Sequence, residues 1–254
     1  MIEVKGLSKR FGDLQVLSDI NAVFRKGRIN QIIGKSGSGK SVLAKCIVGL
    51  HRPDTGQVLY DGRSFHEMGP EEKREIRQRI GMLFQGSALF DSMTVLQNVM
   101  FPLQMFARMP RSEMEDKARS CLERVNILKK DDLFPAEISG GMQKRVGIAR
   151  AIAMNPEYLF VDEPNSGLDP QTSILIDDLI KELTEEYNTT TIVITHDMNS
   201  VMEVGENIMF IHKGRLWWKG TKDELLDSDN VELNEFIFAG GLMRQVRKAI
   251  TGKG

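Results

Sequence analysis

The chain has 254 residues and a formal net charge of −1, with 41% hydrophobic and 27% charged residues. A chain of this length can bury a substantial core, and its charge lacks the basic footprint of nucleic-acid-binding proteins. Cys46 and Cys121 have no metal-ligand or disulfide spacing, and no apolar run approaches the ~18–20 residues that cross a bilayer. We therefore expect a cytoplasmic protein that binds no nucleic acid and reaches the membrane only through a partner.

The first part of the sequence alternates strands, turns and short helices. Strands are predicted at Ile2–Val4, Gln15–Phe24, Ile29–Ile33, Gln57–Tyr60 and Ile80–Phe84, and helices at about Lys40–Leu50 and Pro70–Arg79. From Gly86 to Asn155 the pattern becomes mostly helical. Helices are predicted there at Val95–Phe106, Arg111–Val125 and Gly140–Met154.

Strand–helix alternation returns after Pro156. The predicted elements are the strands Tyr158–Val161, Thr191–Thr195, Asn207–His212 and Leu216–Trp218, and the helices Thr172–Tyr187 and Met198–Val204. The sequence therefore predicts an α/β fold in which a helical segment interrupts a β/α core.

A glycine-rich stretch, GKSGSGKS, follows a predicted strand and opens a predicted helix, which is the context that a phosphate-binding loop requires. Its glycines let successive backbone N–H groups face an anion, and the helix N-terminus adds partial positive charge. Lys40 can neutralise β- and γ-phosphate oxygens, and Ser41 can place its hydroxyl on Mg²⁺. The predicted phosphate-binding residues are Gly34, Lys35, Ser36, Gly37, Ser38, Gly39, Lys40 and Ser41.

Two acids, Asp162 and Glu163, end the apolar strand Tyr158–Val161. Carboxylates at the C-terminal edge of a parallel sheet face the ligands that bind there. Asp162 fits the role of holding Mg²⁺ through a coordinated water, and Glu163 fits the base that activates the attacking water. An acidic pair after a strand is common, and only the phosphate-binding loop upstream favours the functional interpretation.

A second helix start with phosphate-binding character lies about a hundred residues downstream of the first, in the stretch ISGGMQKRVGIARA. Ser139 can contact phosphate or cap the helix, and Gly140 and Gly141 leave backbone N–H groups open to an anion. Taken alone, the segment is more typical of a capped helix start with no ligand.

Six motifs in this order resemble those of the nucleotide-binding domain of ABC transporters over residues 1–225. They are the Walker A loop Gly34–Ser41, the Q-loop Gln85, the signature Ser139–Gln143, Walker B at Asp162–Glu163, the D-loop Ser166–Asp169 and the switch histidine His196. The resemblance implies a P-loop NTPase (RecA-like) core with an antiparallel β subdomain, a helical signature subdomain inserted at about 86–155, and a C-terminal helical tail at 226–254. It also implies a head-to-tail homodimer in which each ATP lies between one chain's P-loop and its partner's signature helix.

The resemblance further implies roles for single residues. The expected catalytic residues are Glu163, His196, Gln85 and Lys40, and the expected Mg²⁺ ligands are Ser41, Gln85 and Asp162. Besides the P-loop, the residues expected to contact ATP are Phe11, Val16, Ser139, Gly140, Gly141, Gln143 and Asp169. For Phe11, core packing is the alternative to stacking on adenine. His51, His66 and His212 lack such context and are interpreted as structural.

The segment after the Q-loop, QGSALFDSMTV, is similar to ATPases of the Mla/MCE phospholipid-transport type. Lys35, Gly86-Ser87 and Asn165 depart from frequent family residues, although none of them removes a catalytic group. The similarity implies an ATP- and Mg²⁺-dependent ATPase subunit that drives lipid transport on the inner face of the cell membrane. Its implied partners are a membrane permease and an MCE-type lipid-binding protein.

The same motifs leave three alternatives to a lipid-transport ATPase open. They are an importer ATPase for another solute, a non-transport ABC ATPase, and a binding module without hydrolysis. The Met- and Phe-rich segment Phe90–Met109 suits a groove for a permease helix, with packing inside the helical insert as the alternative. The tail Val231–Ile250 is a candidate for contact with the other subunit.

Overall fold

The computed structural model describes residues 1–239, which form two sheets and a set of helices. The strands are β1 (Ile2–Phe11), β2 (Leu14–Phe24), β3 (Arg28–Ile33), β4 (Thr55–Tyr60), β5 (Arg63–Ser64), β6 (Ile80–Leu83), β7 (Tyr158–Asp162), β8 (Thr190–Thr195), β9 (Asn207–His212) and β10 (Arg215–Gly220). The helices are α1 (Lys40–Ile47), α2 (Pro70–Gln78), α3 (Val95–Phe106), α4 (Arg111–Arg124), α5 (Gly140–Ile152), α6 (Pro170–Tyr187), α7 (Met198–Val204), α8 (Lys222–Leu226) and α9 (Val231–Ile237).

The larger sheet has six strands in the order β10-β9-β3-β8-β7-β6, and all its pairs are parallel except β10 with β9. Its central strands are buried almost continuously, as expected for strands covered on both faces. The smaller sheet is antiparallel in the order β2-β1-β4-β5. This arrangement confirms the predicted P-loop fold class with an antiparallel sheet beside a parallel core.

The helices α3, α4 and α5 pack against one another and form the helical insert. Their apolar residues, including Leu103, Leu122 and Val146, belong to one buried cluster with Leu83 of β6 and Val161 of β7. The insert is therefore fixed to the parallel sheet by a shared core. Thr94 caps the start of α3 in a capping box. Its hydroxyl accepts from the backbone N–H of Gln97, and the side-chain oxygen of Gln97 accepts from the backbone N–H of Thr94.

Most elements lie within a few residues of their predicted positions, but β1 is longer than predicted. It extends to Phe11 because it pairs with β2 along its whole length. Register shifts interrupt this pairing, and Gly6 adopts a positive φ of 59°. These irregularities break the alternation of buried and exposed residues on which the sequence prediction depended. The short elements β5 and α8 were not predicted.

The described part of the C-terminal tail packs on the core of its own chain. Leu225 of α8 and Leu233 and Ile237 of α9 join a buried cluster with Ile208 and Phe210 of β9. Residues 240–254 of the predicted tail lie outside the described residues, and contact with another subunit stays a prediction.

Gly81 tests how tightly the helical insert is fixed to the sheet. A Cβ there would lie 2.2 Å from the Ala151 carbonyl oxygen of α5 and 3.1 Å from Pro156 Cγ. We expect Gly81→Ala to lower the free energy of unfolding by about 1–3 kcal/mol, because backbone must move to admit the methyl group. Urea denaturation measures this, with Gly69→Ala as the control because its Cβ would meet only Glu72 Oε2, at 3.8 Å. Equal stability of the two variants would contradict the tight packing of β6 on α5.

Candidate functional site

The loop between β3 and α1 is shaped by glycines that its surroundings require. Gly34, Gly37 and Gly39 have positive φ values of 150°, 77° and 108°. A Cβ at Gly34 would lie 2.3 Å from the Ile211 carbonyl oxygen, and one at Gly39 would lie 2.8 Å from Leu17 Cδ2. The loop is therefore held closely against β9 and β2, in a conformation that other residues adopt only with strain.

Lys40 lies inside this loop as a buried cation. Its ammonium donates to the carbonyl oxygens of Gly34 at 2.8 Å and Lys35 at 3.2 Å. Burial lowers the pKa of Lys40, and the neighbouring carboxylates of Glu163 and Asp162 oppose this shift. The arrangement puts positive charge where the loop's N–H groups converge, which suits a bound phosphate chain.

Asp162 ends β7 and is the carboxylate that best fits a metal. Burial, followed by the charge of Glu163, raises the pKa of Asp162. Its Oδ1 is buried and has no hydrogen-bond partner among residues 1–239. A buried carboxylate oxygen of this kind needs a cation or an ordered water.

The expected ligands Ser41, Gln85 and Asp162 offer oxygen atoms, which Mg²⁺ prefers. The described part of the chain has no cluster of three or more His, Cys, Asp or Glu residues that could hold a metal by itself. Mg²⁺ commonly binds through one or two carboxylates together with substrate phosphates, and Asp162 offers one such carboxylate.

Glu163 and His196 form the contact at the centre of the site. His196 Nδ1 donates to Glu163 Oε2 at 2.8 Å, and the exposed side-chain fractions are 12% for Glu163 and 63% for His196. Glu163 has a φ of 49°, which is unfavourable for a non-glycine residue, and its N–H donates to the Ile194 carbonyl. A carboxylate held this way can accept a proton from water while the histidine faces the solvent side.

One cleft of about 1130 Å³ collects most of the predicted catalytic and P-loop residues. Its lining includes Val16, Gln85, Glu163 and His196 together with most of the P-loop. Phe236, Ile237 and Ala239 also line it, so the segment at α9 borders the same cleft. The sequence offered no signal for this last contribution, because the tail is distant in the chain and has no motif.

Phe11 does not line this cleft. Its side chain is 44% exposed and meets the ring of His51 edge-on, at a centroid distance of 5.3 Å. The ammonium of Lys9 lies 5.3 Å from the Phe11 ring. Phe11 is therefore not packed in the core, and its stacking on adenine stays a prediction.

The signature residues Ser139, Gly140, Gly141 and Met142 line a second groove of about 610 Å³ together with Asp169, and Gln143 is not part of its lining. Ser139 caps α5 by accepting from the Met142 N–H at 3.3 Å, and Gln143 Nε2 donates to the Pro135 carbonyl at 2.9 Å. Asp169 caps α6 by accepting from the Thr172 N–H at 3.0 Å. The capped helix start is thus present, and phosphate binding by Ser139, Gly140, Gly141, Gln143 and Asp169 remains a prediction.

Lys144 is a site residue that sequence reasoning missed. This buried lysine of α5 donates to the carbonyl oxygens of Gln85 and, at 3.2 Å, of Glu163. Burial lowers its pKa, and Asp162 and Glu163 oppose the shift. Nothing in the sequence MQKR distinguishes this lysine from a surface charge, and only the fold brings it to Gln85 and to the end of β7.

The glycine-rich loop, the acidic strand end and the histidine on one sheet edge define a P-loop nucleotide hydrolase. A family model described as ABC transporter matches residues 17–166, and the chain belongs to this family. It resembles the dimeric structure of a post-hydrolysis state of the ATP-binding cassette MJ0796 bound to ADP and Pi, with a TM-score of 0.80 and 33% identity over 87% of this chain and 99% of that one. The predicted family, fold class and ATP hydrolase activity are confirmed.

Several named relatives have different transport roles. The chain is 37% identical to the probable ribonucleotide transport ATP-binding protein mkl of Mycobacterium leprae, over 93% of this chain and 68% of the relative. It is 36% identical to the intermembrane phospholipid transport system ATP-binding protein MlaF of Haemophilus influenzae, over 93% and 90%. It is 38% identical to the methionine import ATP-binding protein MetN of Symbiobacterium thermophilum, over 94% and 73%. The chain thus spans about two thirds of the mycobacterial protein's length and most of MlaF.

Lys40 offers a direct test of the P-loop. We expect Lys40→Ala to weaken ATP binding by about tenfold or more, because charge-assisted contacts to phosphate are lost. Isothermal titration calorimetry with ATP and Mg²⁺ measures the dissociation constant. The control is Lys26→Ala, which removes an exposed lysine in the turn before β3. Unchanged ATP affinity in Lys40→Ala would show that the cleft does not bind the phosphate chain through this residue.

Proposed function

We propose that the chain is the ATPase subunit of a phospholipid transporter and works as a homodimer on the cytoplasmic face of a membrane permease. The observation that carries the proposal is the similarity to MlaF, which extends over nearly the full length of both chains. Within that similarity, the Mla-like segment QGSALFDSMTV after the Q-loop also supports it. Among residues 1–239, no helix has the length and apolar character required to span a bilayer.

Hydrolysis follows from the positions of the chain's own groups. The P-loop amides and Lys40 bind the phosphate oxygens, and Glu163 takes a proton from the water that attacks the γ-phosphorus. The bond from that phosphorus to the β–γ bridging oxygen breaks, and ADP leaves with its electron pair. His196 orients the carboxylate of Glu163 through their 2.8 Å contact. Bound Mg²⁺, held by Ser41, Gln85 and Asp162, would supply charge neutralisation at the phosphates.

The two clefts support a head-to-tail homodimer. The catalytic residues line one cleft and the signature residues the other, and Gly167 of the D-loop borders both. A second copy turned through a two-fold axis would set each signature groove against the other chain's P-loop. Ser139, Gly140 and Gly141 would then face the γ-phosphate of the ATP that the partner holds.

A surface at the end of α3 supports docking to a permease. Phe90 contacts Phe101 with a ring centroid distance of 4.6 Å, and both Phe90 and Phe106 are exposed. Met105 lies one turn of α3 after Phe101, next to Phe106 in the chain, and is 56% exposed. A cluster of flexible and aromatic side chains suits a helix of varied shape from a membrane partner.

A second candidate is the ATPase of an importer for another solute. The similarity to MetN, at an identity close to that with MlaF, favours this alternative. Both candidates share the hydrolysis chemistry and differ in the proteins that bind the α3 surface. The identity of the co-purifying partners therefore distinguishes them.

Glu163→Gln tests the catalytic base. We expect turnover to fall by about 10²–10⁴-fold, because the amide cannot accept the proton of the attacking water. ATP should still bind and should stabilise a dimer, which analytical ultracentrifugation with ATP and Mg²⁺ detects. Normal turnover in this variant would remove Glu163 from the role of base.

Met105→Ser tests the docking surface. We expect less permease to co-purify with the variant from native membranes in mild detergent. ATP hydrolysis by the isolated chain should stay within about twofold of the unmodified chain, because Met105 lies outside both clefts. Leu128→Ser is the matched control, since Leu128 is also 56% exposed.

The proteins recovered with the unmodified chain decide between the candidates. A permease with a single-span lipid-binding protein supports phospholipid transport, and lipid transfer becomes the assay. A permease with a solute-binding protein supports the importer. DNA-associated or ribosomal partners without a membrane protein would contradict both.

A further inference from the structure

A buried carboxylate on α6 lies behind the ATPase site. Asp177 is 4% exposed and accepts three hydrogen bonds from side chains that are themselves buried. Asn165 Nδ2 donates to both Asp177 oxygens at 3.0 Å, and Ser200 Oγ donates to Asp177 Oδ1 at 2.8 Å. Burial raises the pKa of Asp177 to about 6, although both partners oppose the shift.

The two partners of Asp177 follow the two expected catalytic residues closely in the chain, one in a loop and one at the start of a helix. Asn165 follows Glu163 closely in the turn after β7, and its carbonyl accepts from the Leu168 N–H at 3.2 Å. Ser200 lies in the first turn of α7, shortly after His196. One carboxylate thus joins the loop after Glu163 to the helix start after His196. The side chains of Glu163 and His196 themselves meet at 2.8 Å, between Oε2 and Nδ1.

The hydrogen bonds within this cluster fix the orientation of its side chains. Asn165 Oδ1 is buried and has no partner among the described residues, so the contacts to Asp177 set the orientation of this amide. A buried carboxylate is a costly way to stabilise a core, since an apolar side chain avoids the desolvation penalty. What the carboxylate supplies is a fixed geometry, because three hydrogen bonds from two side chains must converge on its two oxygens.

The same helix also holds the far end of the D-loop. Asp169 caps α6 through the Thr172 N–H, while Asn165 is bound to Asp177 two turns further along α6. The loop from Asn165 to Asp169 is therefore attached to α6 at both ends. A displacement of α6 would move this loop and, through Ser200, the start of α7 together.

We propose that Asp177 is a positioning residue of the ATPase site, which sets the spacing of Glu163 and His196 by binding Asn165 and Ser200 on one buried carboxylate. The inference rests on the roles proposed above for Glu163 and His196. Asp177 contacts no reacting atom and acts only through these partners.

A reciprocal exchange tests the inference. Asp177→Asn turns an amide N–H₂ group toward the Asn165 amide, and Asn165→Asp sets two buried carboxylates against each other. We expect each single variant to lower kcat by about tenfold or more, since a shift of about 1 Å at a reacting group can slow turnover about 100-fold. ATP affinity of Asp177→Asn should stay within about twofold, because Asp177 does not line the nucleotide cleft, whereas Asn165 does. The double variant restores one amide donor and one carboxylate acceptor, and most of the lost kcat should return.

Controls separate this role from general destabilisation. Asp116→Asn makes the same chemical change at an exposed position of α4 and should leave kcat unchanged. Urea denaturation reports the stability of every variant. If a single variant does not fold, Ser200→Ala removes one donor to Asp177 and should lower kcat with ATP affinity retained.

Two results would overturn the inference: full kcat in folded Asp177→Asn, or a folded, ATP-binding double variant no faster than the slower single variant. Glu163→Gln is measured in parallel. If it is inactive while Asp177→Asn turns over normally, the inference alone fails. If Glu163→Gln turns over normally, the catalytic assignment fails and the inference with it.

Discussion

Parallel pairing of β3, β7 and β8 sets the distances in the ATPase site. Ile33 pairs with Thr195, and Asp162 pairs with Ile194, so the three strands end at nearly the same level. The residues that follow are the P-loop, Glu163 and His196, and they emerge side by side at one edge. A slip of one residue would turn each strand's buried side chains to the opposite face, where they would no longer fit the elements packed on that face.

Burial of charge follows from this convergence. Lys40 and Lys144 both lie close to Asp162 and Glu163, and each ammonium also donates to backbone carbonyl oxygens. Burial alone would lower the pKa of each lysine further, and the two carboxylates limit the shift. The carboxylates thus offset part of the burial penalty on each ammonium, in a place where a single unpaired ion would be unstable.

Sequence reasoning found the groups that act through local chain geometry. The P-loop, the acidic end of β7 and the cap at Ser139 are short motifs whose chemistry requires only neighbouring residues, and the structure places each on its predicted element. The contacts of Lys144 and Asp177 join segments that are distant in the chain. Lysine and aspartate in helices usually face solvent, so no local pattern marks these two as buried. The length of β1 escaped prediction for a related reason, since partner strands determine where a bulge is tolerated.

The helix α5 links the signature groove to the Q-loop segment and to Glu163. Its N-terminus opens on the signature groove, while Lys144 and Arg150 donate to carbonyl oxygens of the segment Gln85–Ala88 and Lys144 also reaches Glu163. Ser87 and Ala88 have positive φ values of 60° and 47°, so this segment depends on such contacts to keep its shape. A displacement of the signature end of α5 would therefore also move Gln85 and the backbone of Glu163 in the same chain. In a head-to-tail pair, the ATP bound by the partner would cause that displacement. Each chain's ATPase site would then respond to the nucleotide that the other chain binds.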